Sequence, residues 1–206
     1  HPDADAVRLK YLCIGDQSFM TDEPKSVTWH RLIEEHLPDT ELILHPDARH
    51  LIARHGLYAR HKIRYFHRGI VQPIAELVEA DFNRPINVGV TTGSMLCIPL
   101  AIHLGCTEIY LMGFDANWLD SATASYHFYQ THEQFPEFDT LSKDARWEMY
   151  EDQLIVILRE FEAHRILATR SRQIGVKIWN ATGGGRLDMH PRVRYEDVVG
   201  IGAAAR

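Results

Sequence analysis

Three short stretches of this 206-residue chain carry residue types that can do chemistry. Thr91-Thr92-Gly93-Ser94 precedes an apolar segment. A helix starting there would present unpaired backbone N–H groups and the positive end of its dipole. Gly93 would let the backbone approach an anion closely, and the Thr92 and Ser94 hydroxyls would add donors to a phosphate or carboxylate. The same residues also suit an ordinary helix N-cap. Asp115, in Asp115-Ala116-Asn117-Trp118, follows a short apolar run that reads as a strand. A carboxylate in that place can bind a sugar hydroxyl, orient a base, or hold a divalent ion with a nucleotide diphosphate. It can also simply cap its own loop. Asp16, followed by Gln17, ends another strand-like run and would converge on the same sheet edge. The third stretch is Tyr126-His127-Phe128-Tyr129. His127 can act as a general base near neutral pH, and a tyrosine hydroxyl can bond a phosphate oxygen. Without a ligand, these aromatics would instead hold the loop down. Trp118 and Tyr129 are suited to stacking on a sugar face. His164, within a predicted long helix, is a rival base ranked behind His127, because a lone helical histidine more often packs or faces solvent.

The elements that must position these residues follow from periodicity. Strand-like runs of β-branched and aromatic residues recur at 9–14, 41–44, 63–66, 86–90, 108–112 and 176–179. Helical patterns at 25–36 and 47–54 fall between them, the second following Pro46. Strand alternating with helix implies a parallel sheet, since each parallel pair needs a crossover that a helix usually supplies. The fold class is α/β, Rossmann-like, a mostly parallel sheet with helices on both faces, in one domain over 1–206. Residues 93–104 are apolar around nearly the whole circumference and predict a buried helix stopped by Gly105. The segment 108–112 reads as a central strand ending in a functional loop at Gly113-Phe114-Asp115. Residues 116–140 have no sustained period and are too long for an ordinary connection, so they are expected to form an active-site loop or lid. A long helix over 142–172 follows, with Leu154, Leu158, Phe161 and Leu167 on a broad apolar face and Gly175 beyond its end.

Composition narrows the function classes. With 45% hydrophobic and 24% charged residues the chain can build a core, and a net charge of −6 argues against nucleic acid as a partner. The longest apolar stretch, 95–104, is far shorter than the roughly 20 residues of a membrane span, so no transmembrane segment is expected. Cys13, Cys97 and Cys106 sit singly inside apolar runs, as small hydrophobes in a reducing cytoplasm would. Five of the 13 histidines, His45, His50, His55, His61 and His67, are spaced by five and six residues. That spacing puts no pair on one helical face, and no Cys-x-x-Cys occurs, so no metal site is expected and these residues read as a polar, partly interfacial surface. Neither a Walker loop nor a Gly-x-Gly-x-x-Gly fingerprint is present, which weighs against mononucleotide hydrolysis and ordinary NAD binding. The chain opens at His1 without a methionine, which leaves open whether a segment precedes it.

One block is familiar as a whole: Thr92-Gly93-Ser94, an apolar helix, then Leu104-Gly105-Cys106-Thr107-Glu108-Ile109-Tyr110-Leu111-Met112-Gly113-Phe114-Asp115. It resembles the MptE-like (hydroxymethylpterin diphosphokinase-like) family and the related bacterial sialyltransferases that use CMP-sialic acid. The tail from Ile178-Trp179-Asn180-Ala181-Thr182-Gly183-Gly184-Gly185 through Pro191-Arg192-Val193 to Tyr195-Glu196-Asp197 is similar to the close of the MptE-like domain. The resemblance implies that this block forms the nucleotide edge of a Rossmann-like domain. By that likeness Thr92, Gly93 and Ser94 contact the nucleotide or its sugar, and Tyr126 stands near a tyrosine that bonds the donor phosphate. Asp16 and Gln17 fall where the sialyltransferases place nucleotide contacts, and Asn117 falls near their second tyrosine. No histidine here matches the sialyltransferase base, and the families' first strand with its Gly-rich turn has no counterpart in this sequence: either that unit lies upstream of His1 or the nucleotide pocket is incomplete.

The resulting expectation is transfer of a sugar from a nucleotide-activated, CMP-linked donor to a hydroxyl of a glycan acceptor in surface polysaccharide synthesis. His127 would be the base, Asp115 a second catalytic residue, and Trp118 and Tyr129 would contact the acceptor. A CMP leaving group can depart without metal, whereas a UDP or GDP donor would bring in Mg²⁺ at Asp115. Two alternatives stand beside this one: Mg²⁺-dependent diphosphate transfer from ATP to a hydroxymethylpterin, with Asp16 and Asp115 as ligands, and a non-catalytic nucleotide- or glycan-binding module. A homo-oligomer is compatible with all three.

Overall fold

The computed structural model describes residues 9–15, 17–21, 23–66, 74–79, 81–83, 94–116 and 143–204. Contacts group the chain into two compact units, 1–104 and 105–206. The first contains β1 (Tyr11–Ile14), a 3₁₀ turn (Gln17–Met20), α1 (Pro24–His36), β2 (Glu41–Leu44), α2 (Ala48–His55), β3 (Ile63–Tyr65), α3 (Ile74–Leu77) and α4 (Ser94–His103). The second contains β4 (Glu108–Leu111), α5 (Lys143–Gln173), β5 (Lys177–Asn180) and α6 (Tyr195–Ala204). The strand expected over 86–90 lies outside the described residues.

In the first unit β1, β2 and β3 pair in parallel in that order, Leu12 opposite Leu42 and Leu42 opposite Ile63. Side chains alternate along a strand, and here the alternation feeds two cores. Leu12, Ile14, Leu42 and Leu44 face one cluster with Ile33 of α1 and Ala48 and Leu51 of α2. Tyr11, Cys13 and Ile43 face the other, with Leu77 of α3 and Leu96 and Leu100 of α4. Helices therefore cover both faces of this sheet. The α1–α2 side is tied by a buried polar chain. His30 Nε2 donates to the Phe19 carbonyl at 2.7 Å, which leaves Nδ1 to accept from Tyr58 Oη, also at 2.7 Å. Tyr58 stands at φ +60°, an unusual place for a tyrosine, held there as its N–H donates to Glu34 Oε1 at 2.7 Å. Burial pushes the His30 pKa down, only partly opposed by its bond to Phe19.

The histidine run does not form one surface. His45 is buried against the Phe66 ring, while His50 on α2 is exposed; His67 lies outside the described residues. The predicted buried helix is α4, with Met95, Leu96, Ile98 and Leu100 all buried, though Cys97 is exposed.

In the second unit β4 and β5 are parallel, Ile109 opposite Ile178 and Leu111 opposite Asn180. Among the described residues β4 has this one partner. α5 ends in a Schellman motif: Val176 N–H bonds the Ser171 carbonyl at 2.8 Å, Gly175 N–H bonds Arg172, and Gly175 takes φ +79° as that motif requires. Its buried stripe is Glu160, Ala163, His164, Leu167, Ala168 and Ser171. Leu154 and Leu158, expected on the apolar face, are exposed, Leu158 at 60%. The stripe is shifted because two polar residues, Glu160 and His164, are inside it, and a reading by polarity assigns them to solvent. No helix among the described residues is long and apolar enough to cross a membrane.

Candidate functional site

Asp115 is the sequence-predicted site residue whose side chain the structure describes. It stands just past the carboxyl end of β4, where ligands bind in parallel sheets. The neighbouring strand β5 leaves its own carboxyl end through Ala181-Thr182 into Gly183-Gly184-Gly185. These two exits are bonded to each other. Ala181 N–H donates to the Leu111 carbonyl at 2.8 Å, Phe114 N–H to Thr182 Oγ1 at 2.9 Å, and Arg186 N–H to the Asp115 carbonyl at 2.6 Å.

Two side chains hold the turn in place. Asn180, fully buried, donates from Nδ2 to the Leu187 carbonyl at 3.0 Å and to the Phe114 carbonyl at 3.4 Å, and its Oδ1 accepts Thr182 N–H at 2.9 Å. Arg192 donates from its guanidinium to the carbonyls of Thr182 (3.2 Å), Gly184 and Gly185 (2.9 Å), and its Nε bonds Asp188 at 2.6 Å. A planar fork of five donors suits this convergence of carbonyls in a way a lysine does not. Gly184 and Gly185 lie at φ +85° and +83°. A Cβ on Gly185 would stand 2.5 Å from Asp115 Cα and closer still to its carbonyl oxygen, so only glycine allows this approach.

The result is a pinned backbone carrying an exposed acid. Asp115 is exposed, and no described residue hydrogen-bonds its carboxylate, so the loop-capping role open to a short acid is not what it does among these residues. Ala116, buried directly after it, takes φ +52°, a left-handed conformation that costs a non-glycine residue about 1 kcal/mol and tends to occur at functional sites.

Behind this edge lies a buried pair that joins His164, the rival base, to His190, a residue given no role by the sequence. His164 Nδ1 and His190 Nε2 are 3.0 Å apart, and the Phe114 ring meets the His164 ring edge to face at 6.0 Å. His164 Nε2 stands 3.9 Å from Glu160 Oε1. Burial, then the neighbouring His190, pushes the His164 pKa down to about 3; burial, then the charge of Arg172, takes His190 down to about 4. Both rings are therefore neutral near pH 7, and the Glu160 contact is not an ion pair. His164 is a core residue sharing its hydrogen bond with a second imidazole, rather than a solvent-facing base.

The remaining predicted residues are not brought together by the described structure. Asp16, Thr92, Gly93, Asn117, Trp118, Tyr126, His127 and Tyr129 lie outside the described residues. Gln17 opens the 3₁₀ turn after β1, and Ser94 is the first described residue of α4. A cavity of about 160 Å³ lies in the first unit, lined by Tyr11, Ile43, Arg64, Phe82, Leu100 and His103 among others; none of the predicted site residues lines it. Among the described residues no group of three histidine, cysteine or acidic side chains is placed to hold a metal. Sequence reasoning gave no role to Asn180, Arg192 or the three glycines. The run of glycines directly after a predicted strand was the available signal. Compared with protein-family models, curated proteins and solved structures, the chain matches none.

Proposed function

We propose that this chain is a glycosyltransferase of Rossmann-like type that works in the cytoplasm and moves a sugar from a CMP-linked donor to a glycan hydroxyl. The observation that carries the reading is the Asp115 edge: a carboxylate past the end of a parallel strand, its backbone pinned by a glycine turn, its oxygens not bonded by any described residue. An acid held in that way is suited to a hydroxyl of the sugar or acceptor, whose orientation must be exact to within a fraction of an ångström. The other roles come from sequence. Thr92, Gly93 and Ser94, with Tyr126, receive the donor phosphate. His127 takes the proton from the acceptor hydroxyl as that oxygen bonds the anomeric carbon and the bond from carbon to the CMP oxygen breaks. CMP leaves as the free monophosphate, and no step is routed through a metal.

The test is thermal shift of the whole chain with CMP, UDP, GDP and ATP, each with and without Mg²⁺, since a ligand that binds the native state raises its melting temperature. Stabilisation by CMP without Mg²⁺, lost in Thr92→Ala/Ser94→Ala, is the expected result. A response to ATP that requires Mg²⁺ would replace the proposal with diphosphate transfer, and no response to any nucleotide would remove the donor site altogether.

A further inference from the structure

The middle of α5 reads Leu154-Ile155-Val156-Ile157-Leu158. At about 3.6 residues per turn, five consecutive positions go all the way round a helix, and a helix apolar on every side belongs in an interior. Four of these five are exposed instead, Leu158 by 60%, and Ile157 is only partly covered. Among the described residues the buried stripe of α5 begins further along, at Glu160. The helix outruns the strands beside it: its 31 residues make roughly 46 Å, whereas β4 and β5, of four residues each, make roughly 13 Å. A contiguous exposed aliphatic cluster of this kind marks a surface that another molecule covers.

The charges along the same helix are divided at this cluster. Of the six charged residues of α5 before Leu154 four are acidic, and of the six after Leu158 four are arginines. Leu158 is midway between Lys143 and Gln173. Glu151 stands seven residues before it and Arg165 seven after, two turns away on the same face, and both are exposed. Among the described residues neither side chain forms an ion pair. We propose that this face is the interface of a homodimer, in which two copies of α5 cross antiparallel about a two-fold axis at Leu158. Antiparallel pairing sets each residue opposite the one equally far beyond the axis, so Glu151 of each copy meets Arg165 of the other, twice by symmetry. Parallel pairing would set Glu151 on Glu151 and Arg165 on Arg165, like charges in contact. Leu158 meets its own copy at the axis with Leu154 and Ile155 beside it, which gives an apolar centre and a charged rim. An acid and a base equidistant from one leucine are what a second copy of this chain requires, and a partner of different sequence has no need of that symmetry. The proposal is independent of the glycosyltransferase reading.

The experiment is sedimentation equilibrium of the whole chain at micromolar concentrations, for wild type, Glu151→Arg, Arg165→Glu and the combined Glu151→Arg/Arg165→Glu. Wild type should have twice the mass of one chain. Either single reversal puts like charges at both symmetric contacts and should raise the dimer dissociation constant by about tenfold or more. The combined reversal restores opposite charges at both and should return the constant to within about threefold of wild type. Leu158→Glu sets two carboxylates at the axis and should be monomeric, with the far-UV circular dichroism spectrum of the wild type, because the side chain it replaces is exposed. A monomeric wild type would overturn the proposal and leave the cluster to another part of this chain or to a different partner. A dimer that survives Leu158→Glu would place the interface elsewhere, and a combined variant no tighter than the single ones would remove the antiparallel register.

Discussion

Lowering the pH should destabilise the protein through the His164–His190 pair, by an amount the structure lets one work out. Both groups have an ordinary value of 6.5, and folding takes them down to about 3 and about 4. A depressed native pKa leaves stability intact above 6.5 and removes it as the pH falls toward the native values, because the unfolded chain binds protons that the folded chain refuses. Each group then contributes a slope of about 1.4 kcal/mol per pH unit between pH 6 and about 4.5. From pH 7 to pH 5 the pair together costs about 4 kcal/mol, a large part of a typical domain's stability. The assay is urea unfolding at pH 7 and pH 5, comparing wild type with His164→Leu/His190→Phe. Replacing both rings avoids leaving one buried nitrogen unpaired. Other titrating groups are common to both chains, so the difference isolates the pair, and wild type should lose about 4 kcal/mol more than the double variant. In the NMR spectrum, two imidazoles should stay neutral at pH 5. Equal acid losses in the two chains, or all 13 imidazoles titrating above pH 5.5, would refute the argument; a difference half as large would show Glu160 holding one ring as a cation.

Other consequences follow from particular contacts. Gly185→Ala places a Cβ inside the Asp115 backbone and imposes a disfavoured φ, so it should lower stability by roughly 2 kcal/mol or more, read by urea unfolding. Asp115→Asn should leave the unfolding midpoint unchanged, since no described residue engages the carboxylate, while lowering the rate of CMP release from a CMP-sugar by tenfold or more, on the order expected for loss of a polar contact to reacting atoms. Tyr58→Phe removes the donor to His30 Nδ1 and should cost about 1–3 kcal/mol, with His30 exchange-broadened or shifted in the NMR spectrum; a neutral effect would mean that another donor replaces the hydroxyl.

How far the sequence could be read depended on whether the local signal and the burial agreed. At β2, an apolar run bounded by Thr40 and Pro46 predicted 41–44, and the structure has Glu41–Leu44, since both faces of that strand are buried and nothing contradicts its pattern. α4 was legible for the same reason. On α5 the helix itself was legible, but its buried side was not: polarity pointed to Leu154 and Leu158, while the interior contains Glu160 and His164. A polar residue can be buried once another element supplies its partner. His190, 26 residues further on, cannot be seen from the pattern of the helix.

The candidate site divides along the same line. That Asp115 stands past the end of a strand could be read from Glu108-Ile109-Tyr110-Leu111 and the Gly113-Phe114 that follow, since strand propensity and turn chemistry are properties of neighbouring residues. What only the tertiary structure decided is what lies beside it. Asn180, Arg192 and the glycine turn are more than 60 positions away in sequence, and they reach Asp115 because β5 pairs with β4 in register. Local chemistry determines which residues are able to act; the pairing of distant strands and the packing of helices upon them determine which act together, because hydrogen bonds depend on distances of a few ångströms that sequence separation does not encode.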